Sequence, residues 1–382
     1  MKKIAILLLT AVFLLNACSP TNTLLETDEN VLEHKYGSAL SGSSVMSEPS
    51  VDSTASEMSD EQVFTTFLKL YEKAKPIILW YFSGPDEENT KIKTDSPETH
   101  NPYIKFGKFK SIAEMKAATE EVFTQRFSND LLYKHAFIDS SGNDRPMYKE
   151  VDGALFWNTQ IGGFGWRYEL TDQYTVSLQT DNLIVLLVKS NVINHEEWNT
   201  FVMKKQNGSW KLEKFHSFSP YMEYEKAVAP AVSAWFCSRN WEDPNEMDAN
   251  SLLAFYADQF LADKRISDYN VEEGYSVPRD EVFQNLSTCL DGLRMDSITK
   301  VKNEHYALAF YDEGTDSIVF YLTKDPAAFV ICSDKVSEDT TSLHILVIAK
   351  SDKASYWGDL TVQPTKEGVR YLSNQHTDIA LE

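Results

Sequence analysis

The strongest constraint on the fold is a repeated change of pattern, from helical periodicity to short β segments separated by turn dipeptides. Apolar residues between Val63 and Tyr71 recur at spacings of three and four, which is typical of a helix. From Met147 onward the apolar residues form short segments instead. Asp152-Gly153, Asp181-Asn182 and Asn207-Gly208 separate these segments as hairpin turns do. Helices followed by antiparallel strands predict an α+β fold.

The helices of the first half have recognisable ends. The first is expected to begin near Asp60 as its cap and to stop at Gly84-Pro85. Pro76 is expected to kink or divide it, because proline lacks the N–H that a helix interior needs. Ser111 is expected to cap a second helix that runs to about Arg126, and a short third helix is predicted after Leu131.

The second half repeats the order of helices and then strands. Helices are predicted at Met222 to Cys237, Asn250 to Asp263 and Pro278 to Leu290. Six strands are predicted after them: His305 to Tyr311, Ser317 to Leu322, Ala327 to Cys332, Leu343 to Lys350, Asp359 to Gln363 and Val369 to Ser373. The sequence therefore predicts two related α+β domains, residues 60–220 and 221–382, with a boundary near Ser219-Pro220.

A local echo supports this division. Lys189, Trp198 and Gly208 in one half parallel Lys350, Trp357 and Gly368 in the other, and an apolar run precedes each lysine. The interpretation is that one unit occurs twice. The alternative is coincidence between two similar β patterns.

The first eighteen residues resemble an export signal. Lys2 and Lys3 are followed by an apolar run, from Ile4 to Leu15, which is too short to span a membrane. Cys18 follows the small Ala17, as in a bacterial lipobox. Residues 1–17 are therefore predicted to be a lipoprotein signal peptide, and Cys18 is predicted to carry acyl chains such as palmitate after cleavage. The alternative is an ordinary signal peptide with an incidental cysteine.

Residues 18–59 are rich in Ser, Thr, Glu and Asp, and they have little apolar periodicity. We expect them to be a disordered tether that lifts the folded part of the chain off the membrane. The predicted location is the extracytoplasmic face of the cell membrane.

The chain of 382 residues carries a formal charge of −21, and removal of Lys2 and Lys3 with the signal makes it −23. Phosphate backbones and anionic headgroups would repel such a chain, so we expect that it does not bind nucleic acids. A basic protein partner is favoured. The alternative is that the acidity serves only solubility.

Catalytic and metal-binding patterns are absent from the sequence. His195-Glu196-Glu197 begins like a zinc-protease helix, but Asn199 stands where the second histidine is required. Cys237, Cys289 and Cys332 have no metal or redox spacing, and buried free thiols are favoured over a disulfide. We therefore predict no enzyme activity, no metal and no cofactor. An unrecognised hydrolase with a scattered set of residues stays open.

A family resemblance rests on three segments: residues 148–156, the Gly162-Gly163 step, and Gly208 to Leu212. Together they resemble the cell-wall DL-endopeptidase inhibitor family of Gram-positive bacteria, over roughly Gln62 to Phe215. The resemblance implies a cystatin-like domain of helices and a curved sheet. It also implies an exported protein that binds peptidoglycan peptidases and restrains autolysis.

An inhibitor of this kind needs a rigid protrusion, and the segment from Asp152 to Trp166 is the candidate. The predicted partner-binding residues share an exposed turn or an aromatic and glycine-rich step: Asp152, Gly153, Gly162, Gly163, Phe164 and Trp166. Phe164 is the expected inserted aromatic. The alternative is that these aromatics are core residues joined by a β-bulge. A rival binding hypothesis is a pocket in each half for a small molecule or a cell-wall fragment.

Overall fold

The computed structural model describes residues 58–84, 103–137, 146–160, 168–192, 195–262, 274–301, 309–321, 328–348, 354–366 and 368–379. They all belong to one compact unit. The chain combines helices with antiparallel sheets, so the predicted α+β class is confirmed. The predicted signal peptide, Cys18 and nearly all of the predicted tether lie outside the described residues.

The first half opens with the long helix α1, Asp60–Phe82. Strand β1, Tyr103–Lys105, and helix α2, Ile112–Glu120, follow. Three short helical segments come next: α3 Gln125–Phe127, a π-helical turn Ser128–Tyr133 and α4 Lys134–Phe137. The strands are β2 Tyr148–Val151, β3 Ala154–Asn158, β4 Tyr168–Gln179, β5 Leu183–Val192, β6 His195–Gln206 and β7 Ser209–Lys214.

The start and the interior of α1 bear on two expectations. Its cap is Ser59 rather than Asp60, because the Ser59 hydroxyl accepts from the Gln62 N–H while the Gln62 side chain accepts from the Ser59 N–H. Pro76 does not divide the helix. Ala74, Ile77 and Ile78 are buried on both sides of Pro76, so packing against the core offsets the lost backbone hydrogen bond.

The second half contains helices α5 Met222–Ser233, α6 Ala249–Phe260 and α7 Arg279–Cys289. Short 3-10 turns lie at Phe236–Ser238, Pro244–Glu246 and Met295–Ser297. The strands are β8 Tyr275–Pro278, β9 Ala309–Asp312, β10 Ser317–Phe320, β11 Ala328–Val336, β12 Thr341–Ile348, β13 Ala354–Thr365 and β14 Gly368–Asp378. Pro278 ends β8 and precedes α7 as its cap residue.

The order of pairing recurs between the halves. A three-stranded antiparallel sheet has the order β1-β3-β2 in the first half and β8-β10-β9 in the second. A four-stranded antiparallel meander follows in each, β4 to β7 and β11 to β14. Parallel bridges also recur just after α2 and α7, where Phe123 pairs with Leu212 and Leu290 pairs with Tyr371.

The local echo is looser than this topology. Gly208 lies in the turn between β6 and β7 with φ +78°, whereas Gly368 is the first residue of β14. Trp198 pairs with Lys189, but Trp357 pairs with Leu346. Equivalent strands therefore carry these residues at different register positions.

Each half has its own hydrophobic core between its helices and one face of its four-stranded sheet. In the first core Phe67 of α1 packs with Phe201 of β6, and in the second Phe255 of α6 packs with Tyr371 of β14. Phe218 packs against the first core and Tyr221 belongs to the second, so the chain passes from one core to the other between these two residues.

The other faces of the two four-stranded sheets pack against each other. A third apolar cluster joins them, with these buried members: Leu183, Val185, Leu187, Val202, Val330, Cys332, Leu346 and Ile348. We call this cluster the sheet contact. The layers therefore run helices, sheet, sheet, helices, and each sheet uses alternate residues for its own core and for the contact.

Charged residues border the sheet contact. Arg126 of the first half donates from Nη2 to Asp334 Oδ2 of β11 at 2.8 Å and from Nη1 to Oδ1, and its guanidinium lies 4.4 Å from the Tyr221 ring. Lys204 Nζ lies 2.9 Å from Glu213 Oε1 and also donates to the carbonyl of Cys332. These bonds satisfy polar groups that the packing of the sheets would otherwise leave unpaired.

Candidate functional site

The β2–β3 hairpin ends in a two-residue turn formed by Asp152 and Gly153, with φ angles of +50° and +72°. Positive φ at both positions matches the turn type whose twist suits a hairpin, and glycine adopts it without strain. The turn predicted at Asp152-Gly153 is therefore confirmed. Both residues are exposed, and the preceding Val151 is 42 % exposed, which is high for a valine.

The base of this hairpin is held to the core. The Tyr148 hydroxyl donates to the carbonyl of Trp80 in α1, and Leu155 is fully buried. Glu150 Oε2 accepts from the N–H of Ile112 at 3.1 Å, which also complements the N-terminal end of the dipole of α2. The hairpin is thus fixed at its base and exposed at its tip.

The remaining residues predicted for this surface are Gly162, Gly163, Phe164 and Trp166, and they lie outside the described residues. Trp157, at the start of the aromatic stretch, packs partly buried against the first core. There it closely approaches Gly84, at a place that has no room for a Cβ.

A second surface is a polar groove of about 570 Å³ on the second half, on the face of its four-stranded sheet that also forms the sheet contact. Cross-strand register places its side chains in two rows. One row runs Ser333, His344, Asp359 and Gln375, and the next runs Lys335, Ser342, Thr361 and Ser373. We call it the outer-face groove.

An imidazole and a carboxylate are paired inside the groove. His344 Nδ1 lies 2.6 Å from Asp359 Oδ1, and the His344 ring stacks on Trp357 with 4.2 Å between ring centroids and 11° between planes. Trp357 packs in turn against the sheet contact. The Ser342 and Thr361 hydroxyls lie 2.9 Å apart in the second row.

Ser333, His344 and Asp359 are adjacent in one row, as a nucleophile, a base and an orienting carboxylate would be. Catalysis by such a row requires a hydrogen bond from the serine hydroxyl to the imidazole. Among the described residues no serine makes that bond to His344, so the row holds an oriented imidazole rather than an assembled nucleophile.

In the described part of the chain, no group of three or more His, Cys, Asp or Glu side chains is placed so that it could hold a metal ion. His195, which opened the zinc-protease-like sequence, begins strand β6 rather than a helix.

The three cysteines of the folded part are free thiols, and Cys237 and Cys332 are buried. Burial raises the pKa of both thiols to about 12, because an apolar site disfavours the thiolate. Cys289 is partly exposed.

The outer-face groove is not predictable from a sequence motif, because none of its residues belongs to one. One signal existed in β12. Its alternation of polar and apolar residues from Ser342 to Ile345 changes to the continuous apolar run Ile345 to Ile348. That change marks where one face of the strand passes from the open groove into the sheet contact.

The fold and these surfaces define a repeated α+β protein with an anchored hairpin on one half and a polar groove on the other. No protein-family model matches the chain, and no curated protein matches it in sequence. Within the described residues, no helix combines the length and the apolar character needed to cross a membrane.

Proposed function

We propose that this protein is a lipid-anchored binding protein on the extracytoplasmic face of the membrane, and that it binds and restrains a peptidoglycan DL-endopeptidase without being an enzyme. The observation that carries the proposal is the β2–β3 hairpin, with its exposed Asp152-Gly153 turn beside Val151. The family resemblance of the first half points to the same activity.

The hairpin suits this task because its shape is set before binding. Its base is joined to α1 through Tyr148 and to α2 through Glu150, so docking into a cleft orders few new groups. Preorganisation of this kind raises affinity by reducing the entropy cost of association. The formal charge, which is −21 for the whole chain and −23 without Lys2 and Lys3 of the signal, adds attraction for a basic enzyme and speeds encounter.

Val151 is the contact that we expect to matter most in the described part of the hairpin. An apolar side chain at the tip can fill a pocket of the peptidase, and a truncated or charged replacement cannot. Val336, at the end of β11 in the second half, is the matched control because it is also an exposed strand-end valine, 69 % exposed.

The test is hydrolysis of purified peptidoglycan by a DL-endopeptidase, with the full-length protein titrated in. Val151→Asp should raise the inhibition constant by roughly tenfold, which corresponds to about 1.4 kcal/mol, while Val336→Asp should leave it unchanged. Phe164→Ala removes the aromatic that the sequence predicts to be inserted, and it should raise the inhibition constant by roughly 30-fold. If the unaltered protein fails to inhibit any DL-endopeptidase, the proposal is wrong. If Val151→Asp and Val336→Asp change the inhibition constant equally, the β2–β3 hairpin is not the surface that binds the peptidase.

The anchor is tested separately. Cys18→Ser should move the protein out of the membrane fraction or block its processing, and normal maturation with full membrane retention would contradict the predicted lipidation.

A further inference from the structure

We propose that the outer-face groove is a second binding site, for a neutral oligosaccharide. The first half covers only one end of this sheet face, at the sheet contact, and the other end remains open as a cavity of about 570 Å³. The proposal goes beyond peptidase binding, because it concerns a different half of the chain and a different class of ligand.

Hydrogen-bonding groups on the groove floor are spaced regularly. Neighbouring strands lie about 4.8 Å apart and alternate residues along a strand about 6.6 Å apart, so the two rows form a grid. Hydroxyls at Ser333, Ser342, Thr361 and Ser373 can each donate one hydrogen bond and accept others, and the Ser342–Thr361 bond uses one of these donors. Sugar hydroxyls also donate and accept, so a chain of sugar rings can pair with such a grid at several points.

The charges of the groove favour a neutral ligand. The Asp359 carboxylate is engaged by His344, and the Asp334 carboxylate is engaged by Arg126. Lys335 is the cation of the lining, and the chain as a whole has a formal charge of −21. A strongly anionic ligand would gain one ammonium contact against that repulsion, whereas directed hydrogen bonds to uncharged groups carry no such penalty.

His344 supplies a flat surface at the edge of the groove. One face of its ring lies against Trp357, and the side chain lines the groove and remains 38 % exposed, so part of the ring is accessible to a ligand. The apolar face of a sugar ring can pack on such a flat ring. The hydrogen bond to Asp359 and the stack on Trp357 fix the orientation of the His344 ring. The groove is open, so its ligand is expected to be extended and to keep part of its hydration.

The experiment measures binding of N-acetylglucosamine tetramer to the full-length protein in detergent by saturation-transfer NMR. An oligogalacturonate of the same length is the anionic comparison. Saturable binding of the neutral tetramer and weaker binding of the anionic one are expected. No saturable binding of the neutral tetramer, or preference for the anionic one, would overturn the proposal.

Two pairs of variants locate the site. Ser342→Ala with Thr361→Val removes two hydroxyls from the grid and should weaken binding by roughly tenfold. Thr377→Val, a β14 residue outside the groove lining, should not. Asp359→Asn should weaken binding, whereas Asp378→Asn, which alters the other His–Asp pair of this sheet at His376, should not.

Binding that survives both groove variants would contradict the location. Thermal melting of each variant separates a lost contact from a lost fold. No peptidase is present in this assay, so its failure would leave the peptidase proposal standing, and the reverse also holds.

Discussion

The β2–β3 hairpin of the first half and the β9–β10 hairpin of the second hold the same place in the repeated strand order, but their turns differ. The first turns through Asp152 and Gly153 alone, beside the exposed Val151. The second has a longer turn in which Asp312 accepts from the Gly314 N–H at 3.0 Å and from the Thr315 hydroxyl at 2.7 Å. The first tip exposes an apolar side chain beside its turn, and the other satisfies its own polar groups.

The outer faces of the two four-stranded sheets also differ. In the second half, the face that forms the sheet contact continues into a polar groove. In the first half, the corresponding face ends at the Lys189–Glu196 ion pair and the exposed Trp198. One topology thus supports two different surfaces, which is why function has to be argued from each surface and not from the fold.

The largest expected effect tests whether the halves are also separate in stability. Phe201 and Phe255 are fully buried, one in each core. Alanine at either position should cost roughly 3–5 kcal/mol. Calorimetry of the full-length chain should show two transitions, with each variant lowering its own. A single transition lowered equally by both variants would mean that the sheet contact unites the halves into one cooperative unit.

An intermediate effect is expected at the contact between the halves. Asp334 is 6 % exposed in its side chain and pairs with Arg126, so Asp334→Ala leaves the guanidinium without its main partner. We expect a loss of about 2 kcal/mol, below the usual range for buried pairs because Arg126 is partly exposed. Asp130→Ala is the control, since Asp130 bonds Arg126 within the first half.

Alkylation of the two buried cysteines reports where the Asp334 effect acts. Cys332 lies in the sheet contact and Cys237 in the second core. Asp334→Ala should speed labelling of Cys332 more than that of Cys237, because the contact opens before the core. Equal acceleration at both thiols would show that the pair stabilises the second core itself.

An effect about as large as that of Asp334→Ala, but present only at acid pH, is a difference in acid stability between the halves. His216 is buried in the first core, with Nδ1 lying 3.1 Å from Asn199 Oδ1 and Nε2 lying 3.2 Å from the Tyr71 hydroxyl. Burial lowers the pKa of His216 from 6.5 to about 3. The unfolded chain therefore takes up a proton that the native chain refuses, so this stability is present above about pH 6.5 and is lost as the pH falls toward 3.

The loss should approach 1.4 kcal/mol per pH unit below pH 6.5, or about 2 kcal/mol between pH 7.5 and 5. His216→Gln preserves a donor and an acceptor but does not titrate, so it should flatten this dependence in the transition of the first half. The comparison is the transition of the second half, where His344 and His376 are partly exposed instead of buried. An unchanged pH profile in His216→Gln would contradict the assignment.

Much of the secondary structure was predictable because its signals are local. The Asn207-Gly208 turn and the Ser111 cap follow from backbone preferences and side-chain hydrogen bonds within a few residues. Strands β1 and β8 were missed. Each is short and lies at the edge of a sheet, where it pairs with a strand about 40 or more residues later in the chain.

Of the two candidate surfaces, one was predictable from local sequence and the other was not. Asp152 and Gly153 were predictable because the dipeptide determines the turn. The outer-face groove was not, because Ser333, His344 and Asp359 are ordinary polar residues until strand register places them in one row.

By itself, the sequence determined the class of fold and the order of helices before the four-stranded sheet in each half, since these depend on neighbours along the chain. Leu183 to Val188 and Ile345 to Ile348 were readable as strands, but their continuous apolar character did not identify what covers them. Only the tertiary structure decided that these strands face each other at the sheet contact and that Ser342 and His344 stay open beside it. The reason is that burial of apolar area is non-directional, so the partner of an apolar face is selected by the packing of the whole chain.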